Sequence, residues 1–136
     1  MKAALLKGLN QFEIETIEKP IPKEHEVLVK IKAAGICGSD IHKMQNEWKY
    51  ELPMVMGHEF SGVIESIGSK VKRILIGDRV VVAPLIPCHE CVYCESGKYQ
   101  LCEDYTMIGS HRYGGFEEYV TVPEENVINI GESISF

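Results

Sequence analysis

Cys88, Cys91, Cys94 and Cys102 fall within fifteen consecutive residues, spaced C-x-x-C-x-x-C with seven residues between the third and the fourth. Four thiolates in one loop suit a single tetrahedral zinc ion. Cysteines that merely fill a core would be scattered, and disulfides belong to short secreted chains. Four sulfur ligands leave zinc no open coordination position, so this loop is expected to hold structure and to do no chemistry. The fifth cysteine, Cys37, stands apart on the stretch Gly35-Ile36-Cys37-Gly38, and Gly57-His58-Glu59 places two further ligand types in succession behind a glycine. Taken singly, Cys37 reads as a core filler, His58 as a turn residue and Glu59 as a solvated acid. Together they offer three ligands and room for a fourth partner, which is what a catalytic metal needs.

These groups have to be positioned by short strands. Residues 1–7 and 12–18 alternate apolar and polar types around Gly8-Leu9-Asn10-Gln11, which predicts a hairpin. Glu26 to Ala34 puts Val27, Val29 and Ile31 on one face and Lys30 and Lys32 on the other, the pattern of a half-buried strand. Cys37 is then expected on a strand-to-helix turn, with Ser39 capping a short helix that runs to about Asn46 and Asp40 adding charge in its first turn. Residues 48–53 read as an aromatic loop. Residues 60–67, 77–83, 116–122 and 126–130 read as further strands. Many short strands with little room for helix predict a mainly β fold, a partly open barrel from which the 88–102 loop is an excursion.

The chain has 136 residues, a length suited to one compact domain. A net charge of −6 without a basic cluster argues against a nucleic-acid partner. No stretch approaches the apolar length that spans a bilayer, and the N-terminal run lacks a cleavage-type segment, so the expected location is cytoplasmic, with no membrane partner. A redox metal centre of the rubredoxin type would need two well-separated C-x-x-C pairs, which the compressed spacing does not provide.

At Cys37-Gly38-Ser39-Asp40-Ile41-His42, Gly57-His58-Glu59-Phe60-Ser61-Gly62, Gly77-Asp78-Arg79-Val80 and the four-cysteine loop, the sequence resembles the zinc-dependent medium-chain alcohol and polyol dehydrogenases. The resemblance covers essentially the whole chain. It implies a GroES-like catalytic domain over residues 1–130, with 131–136 beginning the connection to a nucleotide-binding Rossmann domain. No G-x-G-x-x-G or βαβ unit occurs here, so that Rossmann domain is expected outside this chain and the isolated chain is expected to be inactive.

The resemblance further implies one structural and one catalytic zinc, NAD(H) or NADP(H) as the cofactor of the full-length enzyme, and a homodimeric or homotetrameric assembly. By the same resemblance Cys37 and His58 bind the catalytic zinc, and Glu59 does so in some members and sits behind the ligands in others. Ser39 matches the family's hydroxyl relay, His42 its proton shuttle, and Asp40 a carboxylate that orients the zinc histidine. Tyr50 and Phe116 are the expected substrate contacts. Pro84-Leu85-Ile86-Pro87-Cys88 and the run from Ile108 to Phe116 look most like galactitol phosphate and sorbitol dehydrogenases, which makes a polyol or polyol phosphate the expected substrate. Threonine or other small-alcohol dehydrogenases of the same family are the alternative, and outside enzymes, a non-catalytic zinc-binding interaction module. His111 and Arg112, side by side in a glycine-rich loop, are a candidate phosphate contact.

Overall fold

The computed structural model describes residues 1–46 and 51–136. Strands β1 (Lys2–Gly8) and β2 (Gln11–Thr16) pair antiparallel through a two-residue turn at Leu9-Asn10, where Asn10 takes φ 56°. Asparagine tolerates that left-handed conformation better than most residues. The outer edge of β1 carries the two-residue β4 (Met54–Val55), which brings the chain to Gly57 and His58. Residues 116–118 also run along β1, with Ala4 N–H donating to Phe116 O at 2.8 Å and Glu118 N–H to Lys2 O at 3.1 Å.

The main sheet contains β3 (Glu26–Gly35), β5 (Glu59–Ile67), β6 (Arg79–Val82), β9 (Tyr119–Pro123) and β10 (Val127–Asn129), ordered β10-β6-β5-β3-β9 and antiparallel throughout. Its inward side chains form the principal core, in which Val27, Val29, Ile64, Val80, Val120 and Val122 are almost fully buried. Each such side chain contributes roughly 1.5–3 kcal/mol by leaving water. Among the described residues the strands do not close into a continuous hydrogen-bonded ring, so the barrel is open, as its many short strands predict. One strand departs from expectation. Leu28 is buried along with Val27 and Val29, and the register shift in the β5 pairing between Leu28 and Val29 breaks strict alternation there.

The 88–102 loop leaves between β7 (Leu85–Ile86) and β8 (Thr106–Met107), which pair with each other at its foot. Asn126 holds that foot, its Nδ2 donating to Ala83 O and Leu85 O, both at 2.7 Å. Inside the loop lie helix α2 (Val92–Glu95) and a 3₁₀ turn over Tyr99–Leu101. The loop is therefore the excursion that its sequence indicated. Among the described residues no helix is long and apolar enough to cross a membrane.

Candidate metal centres

The four cysteine sulfurs converge, all lying within 4.8 Å of one another. Cys88 Sγ and Cys94 Sγ are 3.9 Å apart, close to the separation of about 3.8 Å that tetrahedral geometry requires at a Zn–S distance near 2.3 Å. All are free thiols, and none is near disulfide bonding distance. The loop backbone turns amides inward, Cys88 N–H reaching Cys102 Sγ at 3.3 Å. Backbone N–H groups of Glu103 and Cys94 pull the Cys91 thiol well below the usual thiol range, while burial pushes Cys94 up. Thiolate character is thus already favoured at one ligand before an ion arrives. The set fits a structural zinc.

The second cluster is assembled by sheet register. Gly35, the last residue of β3, pairs with Glu59, the first of β5. Cys37 lies two residues beyond one partner and His58 one residue before the other, so the register alone brings thiol, imidazole and carboxylate together. Their ligand atoms lie within 4.8 Å of one another. A Cβ on Gly35 would come within 2.7 Å of Glu59 Oε2, so the glycine makes room for this carboxylate. Glu59 is exposed, Cys37 half-buried and His58 only 7% exposed, which leaves the cluster open on one side.

Asp40, 2% exposed, ties two of these ligands together. Its Oδ2 accepts the Cys37 N–H at 2.9 Å, and its Oδ1 lies 3.3 Å from His58 Nδ1. Neither Asp40 Oδ1 nor His58 Nδ1 has a well-aligned hydrogen bond among the described residues. The two buried atoms therefore face each other, and His58 presents its other nitrogen, Nε2, toward Ser39 Oγ at 3.4 Å. A soft sulfur, a carboxylate and an imidazole with a buried aspartate behind it fit zinc.

Helix α1 (Gly38–Gln45) carries the remaining residues. Its cap is Cys37 rather than Ser39: Cys37 O accepts the Asp40 N–H at 3.0 Å while the Asp40 side chain accepts the Cys37 N–H, a reciprocal pair that uses the first turn's acid. Ser39 is thereby left exposed at the cluster. His42 follows one turn later, also exposed, with Nδ1 3.2 Å from Asn46 Nδ2. Phe116 packs over Gly57, where an added Cβ would lie 2.6 Å from its ring, and joins two small apolar clusters, so it shapes the turn that presents His58. Tyr50 and Trp48 lie outside the described residues. His25 and His89 are exposed, His89 facing Glu125 at 3.1 Å.

Arg112 does not serve as an open anion contact. Its Nη2 donates to Glu26 Oε1 and to Thr121 O, both at 2.8 Å, and this pairing together with Lys23 N–H holds the Glu26 carboxyl below its usual range against the opposing effect of burial. Two further residues, one beside Ser39 on α1 and one in a separate cavity, escaped sequence reasoning. Lys43, one helical turn beyond Ser39, reaches Ser110 Oγ at 2.5 Å. Glu117 is 8% exposed, and burial alone pushes its carboxyl up to about 8.

Residues 23–132 match the family model described as the alcohol dehydrogenase GroES-like domain. The sorbitol dehydrogenase of Bacillus subtilis is 37% identical over 141 residues, covering all of this chain and 40% of that protein. The crystal structure of galactitol-1-phosphate dehydrogenase from Escherichia coli superposes with a TM-score of 0.93 at 37% identity, covering 99% of this chain and 39% of that one. A structure described as a short chain alcohol dehydrogenase from E. coli CFT073 complexed with NADH gives a TM-score of 0.92 at 42% identity, with 99% and 40% covered. The chain thus spans about 40% of the length of the curated relatives it matches.

Proposed function

The chain belongs to the alcohol dehydrogenase GroES-like domain family, and from that membership we propose that it is the catalytic domain of a zinc-dependent dehydrogenase. The reaction is oxidation of a secondary alcohol on a polyol or polyol phosphate to the ketone, with NAD or NADP as acceptor. Residues 1–130 form the catalytic domain, and 131–136 begin the connection to a cofactor-binding domain outside this chain. The observation that carries the reading is Asp40, a buried carboxylate that fixes the backbone of Cys37 and faces the inner nitrogen of His58 at once.

Cys37, His58 and Glu59 would hold the zinc, which when bound would supply Lewis acidity toward a substrate hydroxyl, and a nicotinamide held by the rest of the enzyme would be the hydride acceptor. This chain's own residues then manage the proton. Ser39 Oγ, at the cluster and exposed, accepts it from the substrate hydroxyl. His42, exposed one turn further along α1, receives it and passes it to solvent. Asp40 keeps the His58 proton on Nδ1 and so keeps Nε2 available as a ligand.

The test is an assay of reduced nicotinamide formation by the whole, zinc-loaded enzyme on secondary polyols. Turnover is expected, and Cys37→Ser is expected to abolish it while the four-cysteine zinc remains. Full activity in Cys37→Ser would overturn the assignment.

A further inference from the structure

We propose that Arg79 is a positioning residue for hydride transfer. It fixes the direction in which the chain leaves the barrel at 131–136, and so the placement of the nicotinamide relative to the Cys37–His58–Glu59 cluster. The proposal rests on the dehydrogenase reading above, in which 131–136 lead to the cofactor-binding domain.

Arg79 opens β6 and is followed by Val80, which is fully buried in the main core. Strand β6 pairs with β10 on one side and with β5 on the other, where Arg79 stands opposite Val63. Since β5 begins at Glu59, directly after His58, Arg79 is built into the same sheet that sets two of the three ligands. Its backbone carbonyl also accepts the Ile130 N–H at 2.9 Å, one residue beyond the end of β10.

Past that point strand pairing ends, and the chain turns at Gly131. There φ is 65°, which glycine adopts without strain, and Asn129 Oδ1 accepts the Gly131 N–H at 2.8 Å. The Arg79 guanidinium gathers the carbonyls that follow. Nη1 donates to Gly131 O at 3.3 Å and to Glu132 O at 3.0 Å, and Nη2 donates to Ile134 O at 2.6 Å. The centre of the guanidinium lies 4.3 Å from the centre of the Phe136 ring.

Among the described residues, every hydrogen bond that reaches 131–136 from outside 129–136 comes from this one side chain. All six residues of the segment are exposed, so burial does little to hold it. The Glu132 carboxylate, 3.9 Å from Nη1 and 95% exposed, adds little as an ion pair. Arg79 itself is only 19% exposed, and its planar fork holds three carbonyls in one relative orientation, which a point charge on a flexible stem does not. A loosened segment would misplace the hydride acceptor without touching a metal ligand, and a misplacement of about 1 Å can cost about 100-fold in rate.

The experiment uses the whole, zinc-loaded enzyme and follows nicotinamide reduction in a single turnover, in wild type, Arg79→Gln and Arg79→Lys. The alcohol is sorbitol or galactitol 1-phosphate, whichever wild type oxidises faster. Arg79→Gln is expected to slow the single-turnover rate by about 10- to 100-fold, with nicotinamide Kd and zinc content unchanged, and Arg79→Lys is expected to recover part of the loss. A residue that only stabilised the fold would lower the amplitude, through inactive enzyme, and leave the rate of the active fraction alone. An unchanged rate, or a loss confined to amplitude or to Kd, would overturn the positioning role and leave the dehydrogenase reading standing. If wild type oxidises neither alcohol, the dehydrogenase reading falls, and a glutamate-specific protease then decides the anchor by itself. Faster cleavage after Glu132 in Arg79→Gln than in wild type supports it, and equal cleavage overturns it.

Discussion

The two ligand clusters of this chain are built by opposite means. The cysteine loop takes four ligands from fifteen consecutive residues, and β7, β8 and Asn126 hold only its foot. The Cys37–His58–Glu59 cluster takes its ligands from the ends of two paired strands and is cross-tied by a buried aspartate. An ion in the first cluster organises the chain around it. In the second, the sheet has already organised the ligands, and one side stays open. Local sequence makes a closed site, and tertiary register makes one with room for a substrate.

The largest effect should separate the two directly. Structural zinc contributes roughly 10–16 kcal/mol of apparent binding free energy. Chelation, or Cys102→Ser, is therefore expected to abolish amide protection across residues 88–102 while β3 and β5 keep theirs, as read by hydrogen exchange. Loss of protection in β3 and β5 together with the loop would show that the barrel also depends on the ion.

A second, smaller effect tests the barrel side of the comparison through pH. Glu117 faces a cavity shared with Glu18, Arg112, Tyr113 and the Met1 ammonium, and Oε2 has no hydrogen bond among the described residues. Arg112 is paired with Glu26, and burial alone accounts for the raised carboxyl. Since the folded value of about 8 exceeds the ordinary 4.5, the fold binds a proton that the unfolded chain has released. Stability must then fall as pH rises from about 4.5 to about 8, by at most about 4–5 kcal/mol. Glu117→Gln is expected to flatten that decline in denaturant titrations without changing zinc content. An unchanged pH profile would show that the carboxylate is solvated or paired in solution.

The sequence was most legible where chemistry repeats at short spacing. Four cysteines in one loop announced their site, and the run Val27, Val29, Ile31 announced a strand, though the register shift between Leu28 and Val29 that accompanies the burial of Leu28 leaves no trace in the sequence. Strands β4, β7 and β8 have two residues each, too few to show a period. The helix cap was misplaced because Ser39 is the stronger cap former, whereas Asp40 closes the turn from inside and makes Cys37 the cap. Phe116, an expected substrate contact, packs over Gly57 and also lines an apolar cleft with Ile41, Met44 and Met56, a placement that no sequence period announces. Glu117 and Glu118 are indistinguishable in sequence. Strand pairing with β1 buries the first, while the second is exposed and accepts the Lys2 N–H.

The smallest effect sharpens the comparison most, because it alters one proton at the sheet-built site and nothing in the loop. Asp40→Asn keeps the size of the side chain and one carbonyl oxygen. If that oxygen goes on accepting the Cys37 N–H, the amide NH₂ is turned toward His58 Nδ1, which must then become an acceptor. The imidazole proton moves to Nε2, the nitrogen facing Ser39 and the ligand cluster. Metal binding there would require expelling that proton or turning the ring. Disrupting such a support residue typically weakens a metal site 10- to 100-fold, equivalent to about 1.4–2.7 kcal/mol. Titration with competing chelators on Asp40→Asn should show the weaker of two zincs lost earlier and the tighter one unmoved. Parallel weakening of both would mean that the two clusters are coupled through the barrel, and that the sheet-built site is not independent of the loop.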